Sequence, residues 1–319
     1  MAARTNASQR ATRDAVRSAL QGKRAEPGAV IFRLLLITML LSLLLILIVL
    51  LGDILIGAWP TFRDRGFDFV FSGLSLNPET AGVWTGIVGS LAIALFVVIF
   101  AIPIGIGAAI YLEEYAPDNT LTRFTDTAVR NLAGVPSIVF GLLGLTIFVV
   151  IVNAIGLGGS TAGKNVIAAG ITMAALVLPI VIITSAEAIR AVPYTIREAG
   201  YGVGATKWEV IRSHVLPSAF PGILTGTVLT LARAFGETAP LLVIGVATGF
   251  FSASADATVL EKLTGPYTAL PVIVFSWSRQ TDPAFLNTLA PAAIVVLLTV
   301  LFSINAVAIY FRNRFEKKW

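Results

Sequence analysis

The sequence predicts an all-α, polytopic membrane protein with six transmembrane helices, and three observations support this fold class. Of its 319 residues, 56% are hydrophobic and only 13% are charged, which is more apolar surface than a soluble chain of this length normally buries. Several charge-free runs are long enough to cross a hydrocarbon core about 30 Å thick. The basic residues, moreover, fall mostly on one side of these runs.

The composition also excludes several kinds of chemistry. The sequence contains no cysteine, so disulfides and thiolate catalysis are excluded. Its one histidine, His214, cannot by itself form the His-rich metal centre of a hydrolytic enzyme. An intramembrane enzyme is therefore disfavoured, and we expect neither catalytic residues nor metal ligands.

The N-terminal region is expected to be a tail followed by a retained membrane helix. Residues 1–30 are rich in Ala, Arg, Ser and Thr and form a basic tail. A first transmembrane helix is expected at 31–56, around a charge-free run of 19 residues at 34–52. Because the apolar core of a cleaved signal peptide has only about 7–15 residues, this helix is not expected to be removed.

Five further apolar segments are expected to cross the membrane. They lie near residues 83–111, 132–155, 166–186, 219–249 and 286–311, and a basic C-terminus follows at 312–319. Pro103, Gly105 and Gly107 are expected to bend the second span. Gly222 and Gly226 in the fifth span favour close contacts with another helix.

The distribution of Lys and Arg predicts the orientation of the chain. With six spans, the side that holds both termini receives 17 basic residues and the opposite side receives 5. The positive-inside rule then places both termini in the cytoplasm. The net charge of +5 is therefore a topology signal, and we expect lipid rather than nucleic acid around this chain.

The stretch GGSTAGKN at 158–165 nearly matches the phosphate-cradling loop of nucleotide-binding proteins. Gly158, Gly163 and Lys164 occupy the required positions, but Asn165 replaces the hydroxyl residue that binds magnesium. No strand precedes the stretch, and the charge count places it on the outer side, where ATP is absent. We predict an external turn instead of an ATP site.

The cytoplasmic loop at 187–217 is long for so compact a membrane protein. Pro193 precedes a helical stretch that glycines interrupt, and Trp208, Ile211 and Val215 then recur at helical spacing. Two short amphipathic helices around a glycine corner are expected. An apolar face on the cytoplasmic side requires a groove that covers it, so this loop predicts a protein partner.

Within this loop, EAGYGVGATKWEVIRSHVLP resembles the EAA signature of the binding-protein-dependent, MetI-like permeases of ABC importers. Glu198, Ala199, Gly204, Leu216 and Pro217 match the signature. Gly200 stands where the family has a third-position Ala, and His214 stands where it has Ile.

The resemblance implies a type I ABC importer permease fold at 80–311, in which the loop is a coupling helix inserted into a separate ATPase. Two copies of that ATPase would bind ATP–Mg, so this chain would carry no cofactor and catalyse no reaction. The residues expected to couple it to the ATPase are Glu198, Ala199, Gly200, Gly204, Trp208, Leu216 and Pro217.

Three further stretches resemble the permease subunits of the bacterial phosphate importer, most closely the A-type subunit. They are VPSIVFGLLG (135–144), GETAPLLVIG (236–245) and TALPVIVFSW (268–277). The resemblance implies transport of inorganic phosphate across the cytoplasmic membrane with a second, C-type permease. It also implies an extracytoplasmic phosphate-binding protein that docks on the loops at 57–82 and 251–285, unless the second loop returns toward the membrane.

Arg233 and Glu237 are two charges in an otherwise apolar fifth span. Taking that span as 223–248 places them near its middle, one helical turn and about 6 Å apart on one face. The pair either neutralises itself structurally or contacts the solute; charges at this depth favour function. The guanidinium of Arg233 suits phosphate oxygens, Thr238 offers a hydroxyl, and Pro240 loosens the helix beside Glu237.

Two alternatives to phosphate import stay open at this point. Another oxyanion, sulfate or molybdate, satisfies the same donors. A proton-coupled secondary carrier with Glu237 as its proton site is the second alternative, although the sequence lacks the clear internal repeat that such carriers show.

Overall fold

The computed structural model describes residues 27–245 and 258–315. Most of the predicted tail at 1–30, part of the predicted loop at 251–285 and the last residues of 312–319 lie outside these ranges. Within them every regular element is a helix, and six helices are long and apolar enough to cross a membrane. The predicted all-α class with six spans is confirmed.

The helices used below are numbered in chain order. They are α1 (Pro27–Arg65), α2 (Trp84–Tyr115), α3 (Thr120–Ala133), α4 (Ser137–Leu157), α5 (Val166–Arg190), α6 (Tyr194–Gly202), α7 (Lys207–Gly236), α8 (Ala239–Ile244), α9 (Val259–Thr264), α10 (Leu270–Trp277) and α11 (Phe285–Arg314). The six candidate spans are α1, α2, α4, α5, α7 and α11.

The chain divides into two compact units, Met1–Asp53 and Ile54–Trp319. In the first unit, the side chains at 28–51 are all exposed, which suits an apolar helix whose solvent is lipid. In the second unit, α5 is the most deeply buried of the candidate spans.

Glycines allow the neighbouring helices to approach α5 closely. A β-carbon added at Gly105 of α2 would lie 2.6 Å from Val181 Cγ1, and one added at Gly226 of α7 would lie 2.4 Å from Thr184 Oγ1. One added at Gly222 would also clash with α5. The predicted close contacts of Gly222 and Gly226 are therefore confirmed, in the manner of membrane helices that associate through small residues.

The second span contains a wide turn just before its proline, which the sequence did not predict. A wide, π-helical turn at Val97–Ala101 precedes Pro103, which relieves the clash between the proline ring and the preceding turn. Gly105 serves the contact with Val181, and an added β-carbon at Gly107 would meet nothing within 4 Å. The helical path continues to Tyr115.

The segment at 158–165 forms a turn, as predicted. Ala162 and Gly163 adopt left-handed backbone conformations, and Asn165 Oδ1 accepts a hydrogen bond from the Ala168 amide at 3.2 Å. Asn165 is thus the N-cap of α5, which explains an Asn at the position where a nucleotide-binding loop has a hydroxyl residue.

Part of the predicted external loop at 251–285 is buried. The α10 residues Leu270, Val272 and Ile273 are almost inaccessible, and the Leu270 amide donates to Ser90 Oγ of α2 at 2.9 Å. The α10 segment therefore returns among the spans.

The start of α9 is fixed by a capping box. The Thr258 amide and hydroxyl both donate to the Glu261 carboxylate, and these hydrogen bonds lower the pKa of that carboxyl.

Candidate coupling element and anion site

The coupling element, residues 194–210, is a tight corner between α6 and the start of α7. Gly204 has a φ of +84°, a left-handed conformation that glycine adopts without strain. The Ala205 amide donates to the Gly200 carbonyl at 3.2 Å. Thr206 and Glu209 then form a reciprocal capping box that starts α7. The predicted glycine corner between two helices is confirmed.

The second arm of the corner is longer than expected, because it is continuous with the fifth span. A wide turn at Ile211–Val215 joins the first turn of α7 to the helix that runs from Leu216 to Gly236. Pro217 comes two residues after that turn, and the wide turn relieves the clash between the proline ring and the preceding turn.

The predicted apolar face of Trp208, Ile211 and Val215 is not a single face. Ile211 and Val215 are fully buried within the chain, whereas Trp208 is 52% exposed. Trp208 lies in the first turn of α7, before the wide turn at 211–215, and faces away from the side that Ile211 and Val215 bury. The outward-facing apolar side chains of the corner are instead those of Tyr194, Tyr201, Val203 and Trp208.

A groove of about 780 Å³ lies beside this corner. Its lining is mostly apolar and includes Val192, Pro193, Ile196, Ala199, Val203 and His214. Glu198, Ala199, His214 and Pro217 are exposed, and Leu216 is half-buried. Because His214 is exposed, an imidazole at the family's Ile position avoids the free-energy cost of burying a polar group in this chain.

Gly200, the other departure from the signature, is explained by its neighbour on α7. An added β-carbon at Gly200 would lie 2.7 Å from Val210 Cγ2. The valine thus occupies the space that an alanine methyl at position 200 would need.

A buried ion pair anchors α6 to the membrane spans, and the sequence reading missed it. Arg197 Nε and Nη2 donate to Glu114 Oε1 of α2 at 3.0 and 2.7 Å. Arg197 also donates to the carbonyls of Ile189 and Val192 at the end of α5, at 3.1 and 2.7 Å. Both charged residues are 9% exposed. The only signals in the sequence were Glu114 at the end of an apolar span and Arg197 directly before Glu198 of the EAA signature.

A second ion pair lies nearby but is more open. Arg190 Nε donates to Glu113 Oε2 at 3.1 Å, and the arginine side chain is 57% exposed. This pair joins the same two spans, because Arg190 belongs to α5 and Glu113 to α2.

The structure corrects the predicted fifth span, which is not continuous over 219–249. Helix α7 ends at Gly236, Glu237 is extended with ψ 116°, and α8 starts at Ala239 with Pro240 in its first turn. Proline cannot donate to the carbonyl of Gly236, so the helix breaks there. Arg233 is consequently in the last turn of α7 and not near the middle of a span.

Arg233 and Glu237 nevertheless lie together at the break. Arg233 Nε is 3.5 Å from Glu237 Oε1, and the two side chains are 51% and 19% exposed. Thr238 follows in the non-helical link between α7 and α8 and is half-buried. An anion approaching the guanidinium therefore has donor groups on one side and a carboxylate that competes for them on the other.

The three stretches that carry the resemblance to the phosphate permeases meet beside this break. Phe140 of α4, Leu241 of α8 and Val272 of α10 belong to one buried cluster with Leu231 and Ala234 of α7. The contact between α4 and α8 is close, because a β-carbon added at Gly141 would lie 2.8 Å from Pro240 Cα. The broken helix is thus held between short apolar helices.

This architecture defines a class of protein, a membrane-embedded permease with the fold of ABC importer subunits. The MetNI methionine ABC transporter in an inward-facing conformation has a chain that superposes with a TM-score of 0.56 and 18% identity, covering 74% of this chain and 96% of that one. That likeness shows the fold.

The chain belongs to the family of binding-protein-dependent transport system inner membrane components, which it matches over residues 101–317. It is a multi-pass membrane protein of that family, whose members are permease components of ABC transporters.

Several curated relatives are similar. The phosphate transport system permease protein PstA of Yersinia pestis is 33% identical, with 78% of each chain covered. The corresponding PstC of Pasteurella multocida is 31% identical, with 83% of this chain and 86% of that one covered. The probable ABC transporter permease protein YqgH of Bacillus subtilis is 36% identical over 54% of this chain, which spans only 57% of that relative's length.

Proposed function

We propose that this chain is the A-type permease subunit of an ABC importer that carries inorganic phosphate across the cytoplasmic membrane. The observation that carries the proposal is the Arg233–Glu237 pair at the break between α7 and α8. An arginine that is half exposed beside a broken span offers a planar set of donors to a tetrahedral oxyanion. Relatives named as phosphate permeases support phosphate as that anion.

Glu237 has a definite part in this proposal. A bare phosphate dianion is repelled by a carboxylate, so Glu237 holds Arg233 when no anion is present, or accepts a proton from the monobasic anion. Thr238 donates its hydroxyl to the solute. Because Glu237 competes for the guanidinium, affinity in the pathway is modest, and release on the far side is easy.

The coupling element supplies the link to ATP hydrolysis. Two copies of a separate ATPase bind ATP–Mg and receive the exposed corner with Glu198, Ala199, Gly200, Gly204 and Trp208. Closure of the ATPase pair displaces the corner, and α7 carries that displacement through Leu216 and Pro217 to Arg233. A second, C-type permease completes the pathway, and an external phosphate-binding protein delivers the anion. Both termini of the chain are cytoplasmic.

The test is reconstitution of the four components in proteoliposomes. Phosphate, sulfate and molybdate are each added with the external binding protein, and ATP hydrolysis and uptake are measured. We expect phosphate alone to stimulate both activities. Stimulation by sulfate or molybdate, or uptake driven by an imposed proton gradient without the ATPase, contradicts the proposal.

A further inference from the structure

The first arm of the corner, α6, has few buried attachments to the remainder of the chain. Of its nine residues, all of them described, Arg197 and Gly200 are the buried ones. Gly200 has no side chain and packs on Val210 within the corner itself. Arg197 is therefore the one buried side chain of α6, and beside it the partly buried Ile196 packs on apolar residues of the spans.

The contacts of Arg197 join three separate segments. Two of its nitrogens bond Glu114 at the end of α2, and its terminal nitrogens also bond the carbonyls of Ile189 and Val192. Those carbonyls close α5, where a cation is favoured by the helix dipole. A lysine cannot reproduce this planar set of bonds, because its ammonium group directs three donors from a single atom.

We propose that the buried Arg197–Glu114 pair is the joint through which the coupling element moves α2 and α5, so that Arg197 is a positioning residue for energy coupling. This inference rests on the proposed function and adds a second route to it. Helix α7 carries the motion of the corner to Arg233, and Arg197 carries the same motion to the two spans that pack against each other at Gly105 and Val181. Without the joint, the packing of the partly buried Ile196 is what still attaches α6 to these spans.

The nearby Arg190–Glu113 pair provides a matched control. It is an Arg–Glu pair between the same two spans, but its arginine is 57% exposed and bonds Glu113, which belongs to α2 and not to α6. Exposed pairs contribute little and buried pairs cost much when one partner is removed. Loss of the control pair therefore should leave coupling intact.

The experiment compares R197Q, R197K and E114Q with R190Q and E113Q in the complete complex in proteoliposomes. We expect the first three variants to retain ATP hydrolysis while phosphate uptake per ATP falls by about tenfold or more. R190Q and E113Q should stay within about twofold of the wild type. An unchanged ratio in R197Q, or equal uncoupling in R190Q, overturns the inference.

A distance measurement tests the Arg197–Glu114 joint independently of transport. The chain has no cysteine, so spin labels can be placed at the exposed positions Thr195 of α6 and Tyr111 of α2 without background from this chain. We expect the distance between them to stay constant when ATP is added to the wild-type complex and to change in E114Q. A distance that changes equally in both overturns the joint. Absence of ATP-driven uptake in the wild type instead overturns the proposed function, and the label distances still report on the joint.

Discussion

Gly200 and Val210 face each other across the corner so closely that no side chain fits at position 200. An added β-carbon would lie 2.7 Å from Val210 Cγ2. The family's alanine at this position and the valine of this chain are therefore mutually exclusive in the present geometry.

Replacing Gly200 with the family's residue should consequently be harmful. We expect G200A to destabilise the purified protein by about 1–3 kcal/mol, because overpacking forces the corner open, and to lower its Tm. In G200A/V210A the loss should be smaller than in G200A, since the valine methyls are gone. Thermal unfolding of the detergent-solubilised chain measures both.

Gly202 provides the control for this substitution. It lies in the same helix, and an added β-carbon would meet nothing within 4 Å. G202A should be neutral or slightly stabilising. A Tm for G202A as low as that of G200A would contradict steric exclusion as the cause.

Arg233 and Glu237 can be tested for transport against a structural role. We expect R233A to reduce phosphate uptake at least about tenfold, since a charge-assisted contact to the anion is lost. If the pair were only structural, R233A/E237A would restore uptake by removing both charges. We expect the double variant to stay inactive, as measured by labelled phosphate uptake, with R123A at an exposed site as the control.

Val203 tests the docking of the ATPase. It is 84% exposed at the corner, so V203D should fold normally but place a charge in the interface. We expect loss of ATPase association in co-purification and no change in Tm. L76D, at a position that is 73% exposed on the predicted outer side, should co-purify normally; equal loss there would argue against a docking role for the corner.

The orientation of the chain can be measured directly, because any cysteine introduced is the only one. A cysteine at Val203 should react with a membrane-impermeant maleimide only after the cytoplasmic side is opened. A cysteine at Leu76 should react in intact cells. The reverse pattern would invert the topology that the 17 and 5 basic residues predict.

The six spans and the glycine corner followed from the sequence because both are local. Uncharged runs identify helices that cross lipid, and Gly204 with Thr206 and Glu209 defines the turn and the next helix start. The match of Glu198, Ala199, Gly204, Leu216 and Pro217 to one signature identified the family over most of the chain.

What the sequence did not reveal depends on backbone breaks and on distant contacts. Pro240 correctly predicted a loosened helix beside Glu237, but the sequence over 219–249 is apolar on both sides of that residue, so hydropathy predicted one continuous span instead of two helices. The burial of Ile211 without Trp208 depends on which side of the first turn of α7 packs against the remainder of the chain, and spacing alone does not give that side. Arg197 and Glu114 are 83 residues apart, and only the packing of α6 on α2 brings them together.

Helix α7 extends from the corner to the break at Glu237 and contains Pro221 after the wide turn at 211–215. Its thirty residues at 1.5 Å each span about 45 Å. A tilt of about 10° around the centre of an element of that length displaces its ends by about 4 Å in opposite directions. Under the proposed coupling, a push at Lys207 toward one wall of the protein would swing Arg233 toward the other, and the extended Glu237 would let α8 stay where it is.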